Sequence, residues 1–271
     1  MKLELFSLRG RTAVVTGAVG LLGREHCLAL GEAGASVVAT DLDAAACQDL
    51  ARSLEAADVR AIGVAADITQ KADLEGLRDA AIARFGAIDV LVNNAAIDDK
   101  FDPGADLQAS RFEQYSVERW RRSLDVNVTG TFLCCQVLGQ EMVRRGRGSI
   151  VNVASTYGVV SPDQGLYRGE DGEQRFFKSA AYPVSKSAVV ALTRYLATYW
   201  GKAGVRVNAL SPGGVEAGQD AHFVESYSRR TPMGRMARRD EYRGALVFLA
   251  SEASSYLTGF NLVVDGGWTA W

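Results

Sequence analysis

The chain has little of what would tie it to a nucleic acid, a membrane or a metal. Its 30 Lys and Arg stand against 32 Asp and Glu, for a formal net charge of −2. That leaves no basic excess to hold a phosphate backbone or an anionic lipid surface. No apolar run reaches the roughly 20 residues of a membrane span. The opening "MKLELFSLRGRT" lacks the apolar core and small-residue cleavage site of a secretory leader. Only two histidines, His26 and His222, and four cysteines, Cys27, Cys47, Cys134 and Cys135, are present. They form no CxxC pair and no Cys/His metal spacing, so buried thiols and no metal are expected. These absences point to a cytoplasmic protein that binds neither nucleic acid nor membrane.

What is present is core material in a repeating order. Of the 271 residues, 48% are apolar and 23% charged, enough for a sizeable core in one domain over 1–271. Short apolar runs at 12–17, 36–41, 60–67, 88–96, 148–155, 205–212 and 261–267 read as strands. They are apolar at nearly every position, as strands covered on both faces must be. Helical patterns at 21–33, 44–56, 70–85, 117–145, 182–202 and 240–252 separate them, with a loop rich in Asp, Pro and Gly at 98–110. Repeated strand–helix units imply right-handed crossovers and an α/β, doubly wound sheet with helices on both faces.

The first strand-to-helix turn reads "VVTGAVGLLGREH" and holds Gly17, Gly20 and Gly23. Glycines there permit a tight turn and close approach of the backbone to a pyrophosphate, which the helix N-terminus then favours. Any such turn can use a glycine or two, so its position and partner matter. Asp41 closes the second strand, where a carboxylate either remains solvated or accepts bonds from a ribose and repels a 2′-phosphate. The following "LDAAA" offers no Arg or Lys for that phosphate, so NAD is expected in preference to NADP. Asp67, closing the third strand, either borders the adenine or serves a turn or helix cap.

"AAYPVSKSAVVALT" sets Tyr182 and Lys186 four residues apart on one helix face. Pro183 suits a first helical turn. A lysine beside a phenol stabilises the phenolate, which proton transfer with a carbinol oxygen requires. Ser155 ends the fifth strand, at the carboxyl edge where doubly wound sheets bind ligands. Asn127 lies within a long helical pattern that disfavours Asn, so it bonds water or packs at a helix crossing.

In order along the chain stand "TGAVGLLG", "NNAA" at 93–96, Asn127, Ser155, "YPVSK" and "SPGG" at 211–214. This set resembles the short-chain dehydrogenase/reductase family, in its single-domain branch. The resemblance implies a Rossmann-type doubly wound, seven-stranded parallel sheet flanked by helices. It implies Tyr182 as general acid/base, Lys186 on the nicotinamide ribose, Ser155 orienting the substrate oxygen and Asn127 holding a relay water. It places Gly17, Gly20, Leu22, Gly23, Asp41, Asp67, Ile68, Asn93, Ala95, Tyr182, Lys186, Pro212, Gly213 and Val215 at the cofactor, with Asn93 also bracing the sheet. Three features depart from the branch: the G-x-x-G-x-x-G spacing, Ala96 in place of a glycine, and Ala217 where a hydroxyl residue often meets the carboxamide.

The family typically has about half as many residues between its serine and tyrosine as separate Ser155 and Tyr182. The added segment, 161–178, carries Asp163, Gln164, Tyr167, Arg168, Arg175 and Lys178 beside Phe176 and Phe177. A mobile lid is expected over 213–235, with Glu216, Gln219, His222 and Arg229. Both segments are either solvated surface or substrate contacts; Tyr157, Gln164 and His222 are the candidates for the latter. Their polarity suits a sugar, sugar acid or polyol, oxidised at a secondary alcohol. The competing readings are an NADP-dependent 3-oxoacyl-type carbonyl reductase and a non-catalytic nucleotide sensor or scaffold. The resemblance also implies a homotetramer, or a homodimer, and the ending "GGWTAW" is expected to bury its tryptophans against a neighbouring subunit.

Overall fold

The computed structural model of the chain describes residues 4–99 and 107–271; the middle of the 98–110 loop lies outside them. Seven strands, β1 Thr12–Thr16, β2 Ser36–Asp41, β3 Ala61–Ala65, β4 Val90–Asn93, β5 Gly148–Val153, β6 Val205–Pro212 and β7 Asn261–Val264, form one parallel sheet. Its order is β3-β2-β1-β4-β5-β6-β7, so the chain reverses direction of growth between β1 and β4. At such a switch point the loops leaving the two strands diverge and open a crevice at their carboxyl ends.

The helices are α1 Leu21–Glu32, α2 Ala44–Glu55, α3 Lys71–Phe85, α4 Leu107–Ser110, α5 Val117–Leu124, α6 Thr131–Arg145, α7 Ala181–Trp200, α8 Ala221–Arg230 and α9 Arg243–Ala250. Period-two alternation along the strands divides the core. Ala13, Val15, Val37, Ala39, Val90 and Val92 pack with α1, α2 and α9 residues such as Leu30, Leu50 and Leu246. Val14, Val38 and Leu91 point the other way, into Leu74, Cys134, Leu138 and Leu196 of α3, α6 and α7. His26, on α1, is fully buried, and neither ring nitrogen has a partner among the described residues. Burial holds its imidazole down to about 4.

Four expectations change. The 117–145 pattern is not one helix. A π-helical turn over Asp125–Gly130 separates α5 from α6, and Gly130 permits it, since a Cβ there would lie 2.5 Å from Ile68 Cδ1. The 161–178 insertion, expected as solvated surface or substrate contacts, carries a core of its own. Leu166, Tyr167 and Phe176 are buried with Tyr227 of α8, Met236 and Trp268, and Arg230 pairs with Asp163 across the same junction at 2.5 Å. The 213–235 segment contains α8, capped by Asp220, whose carboxylate accepts the N–H groups of His222 and Phe223. Finally, Trp268 is buried within its own chain and stacks on Tyr227 with ring centroids 4.2 Å apart. The aromatics of the insertion and α8 provide the cover that a second subunit was expected to supply. Only Trp271 is exposed, its indole N–H donating to the Arg230 carbonyl.

Candidate active site

The crevice above β1 and β4 is a cavity of about 460 Å³. One end is formed by the turn after β1. Gly17 adopts φ +63, and a Cβ there would come within 2.7 Å of Ala95 Cα, so glycine is needed for both conformation and space. A Cβ on Gly20 would meet only the Gly17 carbonyl oxygen, at 3.3 Å, and would otherwise fill the cleft. The N-terminus of α1 opens directly beyond, the geometry of an anion cradle. Asn94 braces this turn, its amide donating to the Thr16 and Gly17 carbonyls at 3.0 and 2.9 Å. Asp41 accepts the N–H groups of Val19 (3.2 Å) and Leu42 (2.8 Å). Among the described residues it has no ion-pair partner. The chamber thus fits a dinucleotide: a bare backbone cradle at one end, a carboxylate at the ribose position, and room between.

The other end holds the reactive groups. Tyr182 is the second residue of α7, and Lys186 follows one turn later, 3% exposed. The Lys186 ammonium donates to the Val153 carbonyl at 2.7 Å and lies 5.7 Å from the Tyr182 ring centre. Burial lowers its pKa to about 8, partly opposed by the Asp98 carboxylate. Burial drives the Tyr182 phenol well above its ordinary range and Asp98 adds to this, while a hydrogen bond with Ser155 works against it. Ser155, just past β5, also accepts the Tyr157 N–H at 3.1 Å. The neighbouring Thr156 hydroxyl donates to the Pro212 carbonyl, tying the ends of β5 and β6 together beneath the site.

Asn127 sits on the π turn, with its own carbonyl taken by the Thr131 hydroxyl at 2.8 Å. Its side chain grips Ile97 by both N–H and carbonyl, at 2.8 and 2.9 Å, and donates to Ser185 of α7 at 3.0 Å. The wide turn swings this amide inward, where it fixes the loop after β4 against the start of α7.

The structure brings most of the expected residues to this one cavity: Gly17, Gly20, Leu22, Asp41, Asp67, Ile68, Ala95, Ser155, Tyr182, Lys186, Pro212, Gly213 and Val215 line it. Gly23, Asn93 and Asn127 do not. Gly23 lets α1 close on the turn, since a Cβ would fall 2.1 Å from the Gly17 carbonyl oxygen. Asn93 shares a strand face with Leu91 and so points into the α6 side, donating to Asn152 at 2.8 Å. Asp67 accepts both the N–H and the hydroxyl of Thr69.

Tyr157 and Gln164 line an adjoining cavity of about 710 Å³ with Lys178. Gln164 spends both ends of its amide on the Lys178 backbone, at 2.8 and 3.1 Å. His222 lies on the first turn of α8 and lines neither cavity. Two residues escaped the sequence reading. Asn94 lay in the quoted "NNAA" without being singled out, and Asp98 lay in a loop recognised only by composition. Among the described residues no cluster suits a metal ion, and no helix is long and apolar enough to cross a membrane.

Comparison with known proteins adds to this geometry. A family model described as enoyl-(acyl carrier protein) reductase matches residues 17–269. D-threitol dehydrogenase of Mycolicibacterium smegmatis is 36% identical over 269 residues, which cover 97% of this chain and 95% of that one. A short-chain type dehydrogenase/reductase from Mycobacterium marinum has the same fold, with a TM-score of 0.85 at 32% identity over 99% of both chains. A gluconate 5-dehydrogenase from Burkholderia cenocepacia J2315, solved with NADP and tartrate, gives a TM-score of 0.87 at 32% identity over 100% of both. On these matches the chain belongs to the short-chain dehydrogenase/reductase family, oxidoreductases that act on CH–OH groups with a nicotinamide dinucleotide.

Proposed function

We propose that this protein is an NAD-dependent dehydrogenase that oxidises a secondary alcohol of a polyol, sugar or sugar acid. The observation that carries the reading is Tyr182 held between Ser155 and Lys186 at the mouth of the dinucleotide-shaped crevice. The bound cofactor supplies the hydride acceptor. The chain's own groups manage the proton: Tyr182 takes it from the carbinol oxygen, which the Ser155 hydroxyl orients. Tyr182 enters this step as the phenolate, which the Lys186 ammonium stabilises and which the proton then neutralises, and Asn127 acts as a positioning residue through Ile97 and Ser185.

The NAD preference rests on Asp41, whose oxygens are aimed by backbone N–H groups and carry no cation for a 2′-phosphate. The bound NADP of the gluconate 5-dehydrogenase supports the second reading, NADP use. The substrate class rests on the polar 161–178 insertion, with Tyr157 as a contact and Gln164 acting through Lys178. The relatives named for threitol and gluconate support it. Four free, buried cysteines accord with a cytoplasmic protein. Half-exposed Phe132 on α6 and Tyr195 and Tyr199 on α7 form an apolar face suited to a homotetramer.

A panel of polyols, sugars and sugar acids, followed by NADH absorbance with NAD and NADP in parallel, tests this reading. Turnover of a polyhydroxylated substrate with NAD is expected. Equal or better turnover with NADP would overturn the cofactor assignment, and turnover confined to acyl ketones would overturn the substrate class.

A further inference from the structure

A second lysine reaches Tyr182, and it comes from the insertion. Lys178 Nζ lies 5.0 Å from the Tyr182 ring centre, closer than Lys186 at 5.7 Å. Its side chain is only 8% exposed. The ammonium is paired with the Asp98 carboxylate and donates to the Asp99 carbonyl at 3.3 Å.

Both members are held from outside the pair. The Lys178 backbone is clamped at its N–H and its carbonyl by Gln164, and the preceding N–H, of Phe177, donates to the Ser110 hydroxyl at 3.0 Å. Asp98 directly follows Ile97, whose backbone Asn127 grips on both sides. The insertion and the catalytic framework thus each deliver one charge to the same point beside the phenol. Desolvation holds the Asp98 carboxyl above the ordinary carboxylate range despite the ammonium, yet its side chain keeps 36% of its exposure, so a ligand can reach it.

An ammonium has three N–H donors, and the described residues account for two of them. A carboxylate oxygen accepts more than one bond. Together the pair offers a donor and an acceptor at one place. That is the complement of a hydroxyl, which both donates and accepts. An apolar group seated there would bury a charged pair with nothing to bond.

We propose that Lys178 and Asp98 form a specificity-determining pair that binds the hydroxyl on the carbon next to the reacting carbinol, making vicinal diols the substrate class. This rests on the polyol reading above. A site built to bond a substrate hydroxyl discriminates steeply, by up to about 10⁴-fold, against an analogue lacking it.

The test compares a four-carbon polyol, threitol, with 2-butanol of the same chain length, under saturating NAD. The wild-type protein is expected to favour the polyol in kcat/KM by at least about 100-fold. Lys178→Met is expected to lower the polyol-to-butanol ratio by about 30-fold, the worth of one hydrogen bond to a charged group. Asp98→Asn, which keeps the shape, carries the same expectation if Lys178→Met does not fold, and Lys178→Arg should restore part of the ratio. An unchanged ratio in a folded variant that still binds NADH would overturn the pair while leaving the polyol reading intact. A wild-type protein with no polyol preference would overturn both.

Discussion

Two carboxylates stand at opposite ends of β4, Asp89 buried and Asp98 open to solvent, and their surroundings could hardly differ more. Asp89 precedes the strand at the amino edge of the sheet. It accepts the Thr12 N–H at 3.0 Å and faces the guanidinium groups of Arg11, Arg145 and Arg147 at 3.6, 3.2 and 3.3 Å. Asp98 follows the strand at the carboxyl edge and has one ammonium, with burial working against its charge. One carboxylate is neutralised several times over, while the other has a single close ammonium and stays open to solvent beside the reacting group. The amino edge is built to hold the sheet together and the carboxyl edge to receive a ligand.

The largest expected effect belongs to the carboxyl edge. Tyr182→Phe should lower kcat by about 10³-fold by removing the proton acceptor while leaving NADH binding, read by fluorescence, unchanged. Wild-type turnover in that variant would defeat the assignment. Next comes the contrast itself. Asp89→Ala strands three guanidinium groups and should cost about 3 kcal/mol of folding stability. Asp98→Asn should cost under about 1 kcal/mol, because its side chain is 36% exposed and solvent screens its pair with Lys178. Denaturant unfolding of the two variants checks this, and equal losses would erase the distinction drawn here.

His26 is a buried ionisable group whose ring nitrogens have no partner among the described residues, and it gives a pH-dependent version of the same test. Its folded pKa of about 4 lies below the ordinary imidazole value of 6.5. The unfolded chain therefore binds the proton more readily, and stability is full above pH 6.5 and lost as pH falls toward 4. At pH 5 the loss is about 2 kcal/mol. His26→Leu should flatten this part of the pH–stability curve, and an unaltered slope would show that other groups govern it. The smallest effect concerns Lys186. Lys186→Met removes the cation beside the phenol, so the acidic limb of the kcat/KM profile for alcohol oxidation should move up by about one pH unit. A limb that stayed in place would mean that Lys186 does not tune Tyr182.

Much of the carboxyl edge was legible because its chemistry is written locally. Gly17, Gly20, Asp41, Ser155, Tyr182 and Lys186 all sit at strand ends or helix starts, and their place in the strand–helix alternation puts them on one edge. The legible part ends where placement depends on contacts distant in sequence. Asn93 and Asn94 cannot be told apart by composition; strand alternation sends the first toward α6 and leaves the second at the glycine turn. The π turn around Asn127 has no signature in a run whose period is otherwise helical. Asp98 gains its meaning only when Lys178, 80 residues later, arrives beside it. Trp268 is far in sequence from the insertion that helps to cover it, so its aromatic surface reads as a subunit contact until the chain is folded.

The small aromatic core shared by the insertion and α8 limits how this enzyme's selectivity can be moved or evolved. The insertion does not behave as a detachable cassette, since Tyr167 and Phe176 rest on Phe223 and Tyr227, which in turn carry Trp268. Transplanting 161–178 alone would deliver Lys178 on an unsupported loop. Exchanging the whole insertion in this lineage therefore calls for three separate stretches of the gene to change in concert, because they inherit a single wall.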